Sequence, residues 1–205
     1  MRNLCIGMLA LCWQVAHAEV ALQILDQDQQ PVSDAVVLVV SKQIATPQQN
    51  AIVDQIDSAF VPRVAVIQKG QSVAFPNSDD IRHHVYSFSE PKSFEIKLYK
   101  GSDIAPIEFD QAGLVILGCN IHDDMIGYIF VADNQFAVKS NENGWVTLPV
   151  DVGDEVTVWS ERFVAGVEHM EKFTIGDGER QRVSLELYPV VEVSDHQDHD
   201  SVYDW

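Results

Sequence analysis

Basic residues are scarce in this chain: 13 lysines and arginines stand against 31 aspartates and glutamates, a formal net charge of −18. That deficit argues against nucleic-acid binding, because phosphates require the opposite sign. It favours solubility and a basic partner. No segment approaches the run of about 20 apolar residues that a membrane span needs. Long helical periodicity is missing too, which leaves strands as the expected building material. Cysteine is scarcest of all, with three in 205 residues.

Two of those cysteines, Cys5 and Cys12, fall in a stretch that reads as a secretory signal. Met1-Arg2 supplies a positive start, Leu4 to Trp13 an apolar run, and Ala16-His17-Ala18 a small-x-small cleavage signal. Residues 1–18 are therefore expected to be removed, leaving a chain that starts at Glu19 and works in the periplasm. Losing Arg2 moves the formal charge from −18 to −19. Cys119 then remains as a single thiol in an oxidising compartment, where it cannot close an internal disulfide. Alone it would read as a buried core residue.

It is not alone. Cys119-Asn120-Ile121-His122-Asp123-Asp124-Met125 puts a thiol, an imidazole and a thioether within seven residues, and His83 lies upstream after Phe75-Pro76-Asn77. Two imidazoles and a thiolate with a weak axial methionine form a ligand set for copper in electron transfer. The soft sulfur donors favour copper, and the two nitrogens keep both Cu(I) and Cu(II) accessible.

Short strand-like runs dominate the rest. Glu19 to Leu25 alternates, Asp26 to Pro31 reads as a turn, and Ala35 to Val40 is β-branched. Ser41 to Asn50 is polar and reads as a linker. The next block holds Val64–Ile67, Val73–Phe75, Val85–Phe88, Phe94–Leu98, Leu114–Cys119 and Tyr128–Val131, the pattern of a sandwich or barrel. A third block contains Trp145–Leu148 and Val156–Trp159. It ends in an expected closing hairpin, Lys172 to Ile175 and Val183 to Leu187, around Gly176-Asp177-Gly178. The spacing puts Cys119, His122 and Met125 on one short loop between neighbouring strands, with His83 on another loop.

The segment 52–133 resembles the cupredoxins, the small blue-copper fold of plastocyanin and amicyanin. The resemblance rests on Asn77-Ser78-Asp79-Asp80-Ile81-Arg82-His83, on Phe109-Asp110-Gln111-Ala112-Gly113, and on the Cys-x-x-His-x-x-Met run from Cys119. It implies a Greek-key β-sandwich in which His83, Cys119, His122 and Met125 ligate copper. The whole chain is similar to periplasmic proteins labelled methylamine-utilisation proteins. In plastocyanin-like proteins an Asn follows the upstream histidine; here the residue is His84. Strand alternation lets only one of His83 and His84 face the metal, and the six-residue spacing from Asn77 favours His83. His84 is then a brace, a surface residue or a second metal contact.

The flanking segments, 19–45 and 134–193, resemble a carboxypeptidase-regulatory-like or transthyretin-like β-sandwich. Gln30-Pro31-Val32-Ser33-Asp34-Ala35 matches its first hairpin, and Trp145 and Trp159 are expected in its core. His169 and Met170 read as strand residues. The tail from Ser194 to 205 is acidic and reads as disordered; its His196 and His199 belong to a solvated tail or a weak metal site. Asp79, Asp80, Asp123 and Asp124 read either as solvated loop carboxylates or as an acidic rim that steers a basic redox partner.

The leading expectation is a periplasmic one-electron copper carrier exchanging electrons with a cytochrome, a dehydrogenase or another copper protein. The alternatives are copper storage or delivery, and an interaction module with a structural copper. Enzymatic activity is not expected, since four protein ligands leave no open position and no nucleophile–base pair is seen.

Overall fold

The computed structural model describes residues 19–40 and 51–190. The signal (1–18), the linker (41–50) and the acidic tail (from 194) lie outside the described residues. Among the described residues every regular element is a strand, and no helix is long and apolar enough to cross a membrane. The chain is all-β.

In chain order the strands are β1 Glu19–Asp26, β2 Val36–Val39, β3 Ala51–Ile52, β4 Asp54–Ile56, β5 Ala59–Val61 and β6 Val64–Gln68. They continue with β7 Gln71–Ala74, β8 His83–Ser89, β9 Lys92–Tyr99, β10 Ile107–Phe109, β11 Gly113–Cys119 and β12 His122–Ala132. The last five are β13 Phe136–Lys139, β14 Trp145–Pro149, β15 Glu155–Trp159, β16 Met170–Thr174 and β17 Arg180–Leu185. Four sheets result, in the orders β14-β1-β17, β13-β2-β15-β16, β6-β12-β11-β8-β9 and β10-β7-β3, with β4–β5 a separate hairpin. The first two sheets are built from 19–39 and 136–185, the last two from 51–132.

The side-chain alternation of the strands shows how these sheets stack. In β2, Val37 and Val39 enter a core shared with Leu22, Leu148, Val156 and Val158, while Val36 and Leu38 face the other way. In β12, Ile129 and Val131 enter a second core with Leu117, Phe75 and Phe109, while Tyr128 and Phe130 turn outward. The two outward sets meet: Val36, Leu38, Val64, Tyr128, Phe130, Ala132 and Trp159 form a third core between the β2 sheet and the β12 sheet. Strands covered on both faces read as unbroken apolar runs, and β2 (VVLV) is buried throughout. Around this joint Arg63 pairs with Glu161 at 2.8 Å and lies over the Tyr128 ring. Lys139 donates to Asp34 and to the carbonyl of Val64.

Several expectations are corrected here. The closing segments do not form a hairpin: β16 pairs with β15 in one sheet, whereas β17 runs parallel to β1 in the opposite sheet. The Gly176–Gly178 turn therefore carries the chain across the sandwich. The first hairpin is short: around the antiparallel Leu25–Pro31 bridge the Asp26 N–H donates to the Gln30 carbonyl and the Val32 N–H to the Ile24 carbonyl, and the chain then crosses to β2. Trp159 is fully buried, but in the joint between the two sandwiches. Trp145 is only half-buried and sits beneath the Arg180 guanidinium. His169 precedes β16, in a loop, with its ring edge-on to Phe163.

Candidate metal centre

The residues singled out by spacing come together at one end of the β11–β12 pair. On β11 the inward positions are Val115, Leu117 and Cys119, all buried in the second core, so the thiol continues an apolar alternation. Cys119 pairs directly with His122 across the two-residue turn Asn120-Ile121. The connection is thus a tight hairpin, and His122 and Met125 stand on β12 itself. That corrects the expectation of three ligands on one loop. Gly118 pairs with Ile126, so Asp123, Asp124 and Met125 bulge out between the two registers. Such a bulge re-aims a side chain; Met125 is 2% exposed and packs in the same core as Cys119.

His83 opens β8 and is fully buried. It shares the inward face with Val85 and Ser87, also fully buried. Its Nδ1 lies 3.8 Å from Cys119 Sγ, and His122 Nδ1 lies 3.9 Å from the same sulfur. The two rings are 5.0 Å apart, and the three donor atoms all lie within 4.8 Å of one another. One ion about 2.0–2.1 Å from each nitrogen and about 2.3 Å from sulfur, at angles near 120°, needs nitrogen–sulfur separations of about 3.8 Å. The donors present fit a single ion.

His84 goes the other way. Its Nε2 lies 3.0 Å from Glu95 Oε1 on β9, its ring neighbours Tyr86, and its buried Nδ1 has no hydrogen-bond partner. It is not part of the three-donor group.

The upstream loop is held from several sides. The Asn77 side-chain amide donates to the carbonyls of Ile81 and Tyr99 at 3.0 and 2.8 Å, and its oxygen accepts from the N–H of Asp79. Tyr99 donates to the Phe75 carbonyl at 2.6 Å and accepts from the Gln55 amide, which also donates to Pro76. Burial pushes the Tyr99 hydroxyl up to about 12. Asp79 Oδ2 lies 2.8 Å from the Ser58 N–H and 2.8 Å from His83 Nε2. Those two bonds, the first above all, hold its carboxyl down at about 2. Asp80, Asp123 and Asp124 are exposed, whereas Asp79 is spent on this bracing. Of the four loop carboxylates, three are thus left exposed. Asp79 was expected as a loop or rim carboxylate; its bracing role and the part of Ser58 were not, because an aspartate in a polar loop carries no mark of a partner 21 residues away.

No family model matches this chain, and no curated protein matches it. Among solved structures, amicyanin from Paracoccus versutus is 20% identical, with a TM-score of 0.38, over 47% of this chain and 97% of its own. A purple cupredoxin from Nitrosopumilus maritimus is 19% identical over 40% of this chain and 100% of its own, with a TM-score of 0.37. A copper-containing nitrite reductase from Thermus scotoductus SA-01 is 24% identical over 46% of this chain, with a TM-score of 0.39. This chain spans only 25% of that reductase. Likenesses of this size leave the question of function to the donor atoms.

Proposed function

We propose that this chain is a copper protein of the blue, type 1 kind that passes single electrons between partner proteins in the periplasm. One observation carries the reading: a buried thiol and two imidazole Nδ1 atoms converge within 4.8 Å. His83, Cys119 and His122 would hold the ion, and Met125, buried in the same core as Cys119, would add a weak thioether donor. Copper in such a set supplies a one-electron couple.

The chain's own contribution is rigidity. Cys119 and His122 are locked by direct strand pairing, and His83 opens β8 directly after a loop stapled by Asn77, Gln55 and Asp79. A site so held suits electron transfer, where little should rearrange with redox change. His83 is fully buried, while His122 is only partly so and follows the exposed Ile121. Of the four donor residues, His122 is therefore the one most open to a docked partner. Exposed Asp80, Asp123 and Asp124 favour a basic partner. The signal-like residues Met1 to Ala18 support secretion.

Adding Cu(II) to the purified metal-free protein tests the reading. An intense visible thiolate-to-copper charge-transfer band is expected. A colourless product, or no binding, would overturn it.

A further inference from the structure

The geometry points to Asp79 as the positioning residue of the metal site, aligned by the β4–β5 hairpin so that His83 is kept protonated on Nε2 and bare on Nδ1. This inference rests on the reading of His83 as a metal ligand.

A neutral imidazole carries one N–H and one lone pair, and the hydrogen bond made by one nitrogen decides which is which. An ionised carboxylate can only accept. Asp79 Oδ2 stands 2.8 Å from His83 Nε2, so that nitrogen donates. The lone pair then falls on Nδ1, the atom 3.8 Å from Cys119 Sγ. His83 is fully buried, and the Asp79 carboxylate is the partner that its Nε2 meets.

Asp79 is itself built into place. Its Oδ2 also accepts the backbone N–H of Ser58 at 2.8 Å, and its Oδ1 accepts that of Asp80 at 3.0 Å. Ser58 belongs to the turn between β4 and β5, where Asp57 and Ser58 have φ of 52° and 57°. Two successive non-glycine residues rarely take this left-handed form. Here the turn brings the Ser58 N–H to the carboxylate. The hairpin grips the same loop at further points. Asp54 accepts from the Ser78 hydroxyl at 2.8 Å, and the Gln55 amide donates to the Pro76 carbonyl at 2.9 Å. On its other strand Phe60 packs against Gly127, where a Cβ would come within 2.9 Å of it. The hairpin thus joins the His83 loop to the strand that bears His122 and Met125.

The test begins without metal. In the 15N-histidine-labelled, metal-free parent protein, two-bond proton–nitrogen correlations should show His83 as the Nε2–H tautomer. Asp79→Ala should replace it by a mixture or by the Nδ1–H form, and should weaken Cu(II) and Co(II) binding about 10–100-fold. Asp79→Asn can present an oxygen at the same place, so it should keep the tautomer and lose less affinity. A parent His83 protonated on Nδ1 would overturn the inference. So would an Asp79→Ala protein with unchanged tautomer and affinity. Because the tautomer is read before any ion is added, a chain that shows it yet gives no blue copper spectrum would defeat the electron-carrier reading and leave Asp79 in its role.

Discussion

The Tyr86 side chain occupies the space a side chain at Gly118 would need: a Cβ built there lies 2.7 Å from the ring and 2.8 Å from its hydroxyl oxygen. The two residues are partners across β8 and β11, and Gly118 immediately precedes the thiol. Overpacking of this kind costs about 1–3 kcal/mol. Gly118→Ala should therefore lower the denaturant midpoint of the metal-free protein by a corresponding amount. In a double-mutant cycle with Tyr86→Ala the two costs should be strongly non-additive. Simple additivity would mean that the ring does not bear on Gly118.

Cys119→Ser should abolish any coloured copper site, since a hydroxyl cannot offer the soft deprotonated sulfur. Met125→Leu should keep copper and colour while raising the reduction potential, because the axial bond is weak and chiefly tunes the site. Visible spectra and potentiometry of the two variants check this. Complete loss of copper from the Met125 variant would make the thioether a principal ligand.

His83 and His84 should respond unequally. The first presents Nδ1 to the Cys119 sulfur, and the second bonds Glu95 on the opposite face. His83→Ala should disturb the copper spectrum and weaken binding, whereas His84→Ala should leave the main features in place. Equal damage would show that His84 reaches the ion after all.

Much of this arrangement could be read from residue order alone, and the parts that could not share a cause. The inward run Val115, Leu117, Cys119 and the β-branched stretches announce strands because strand periodicity is local. The alternation at His83 and His84 is local too. Turn residues such as Gly176-Asp177-Gly178 announce a reversal but not which sheet receives the next strand, so β17 was expected beside β16 and lies instead beside β1. Trp145 and Trp159 look alike in sequence. Only the stacking of two sandwiches buries one and leaves the other under Arg180. Asp79 is the sharpest case, because its partner Ser58 sits on a hairpin that periodicity does not bring near.

Tyr99 should ionise late. Burial raises its folded value to about 12, against about 10 in an unfolded chain. The neutral hydroxyl therefore supports the fold fully below pH 10, and that support is lost as pH rises through 12. An ultraviolet pH titration should show a late tyrosinate step that Tyr99→Phe removes. The same variant should lose the hydroxyl's bonds to the Phe75 carbonyl and the Gln55 amide, and with them part of its stability near neutral pH. A Tyr99 that titrates near 10 would mean the His83 loop opens to water.

Electron exchange with a basic partner should slow as salt rises. The chain carries a formal charge of −18, and Asp80, Asp123 and Asp124 are exposed on the segments that carry His83 and His122. Such charges steer encounter over about 8–10 Å at ordinary ionic strength, and added salt screens them. Changing these three to Asn should lower the association rate with a basic cytochrome and flatten its salt dependence. The copper spectrum should stay as it was, because none of the three is a proposed ligand. Asp79 must be left out of that set: it is bonded to His83, so its removal would mix a change at the metal with a change at the surface. Stopped-flow rates across a salt series, with Asp79→Asn run separately, separate the two effects. A flat salt dependence in the parent protein would show that the three carboxylates do no steering, and would move the partner's docking site away from this end of the sandwich.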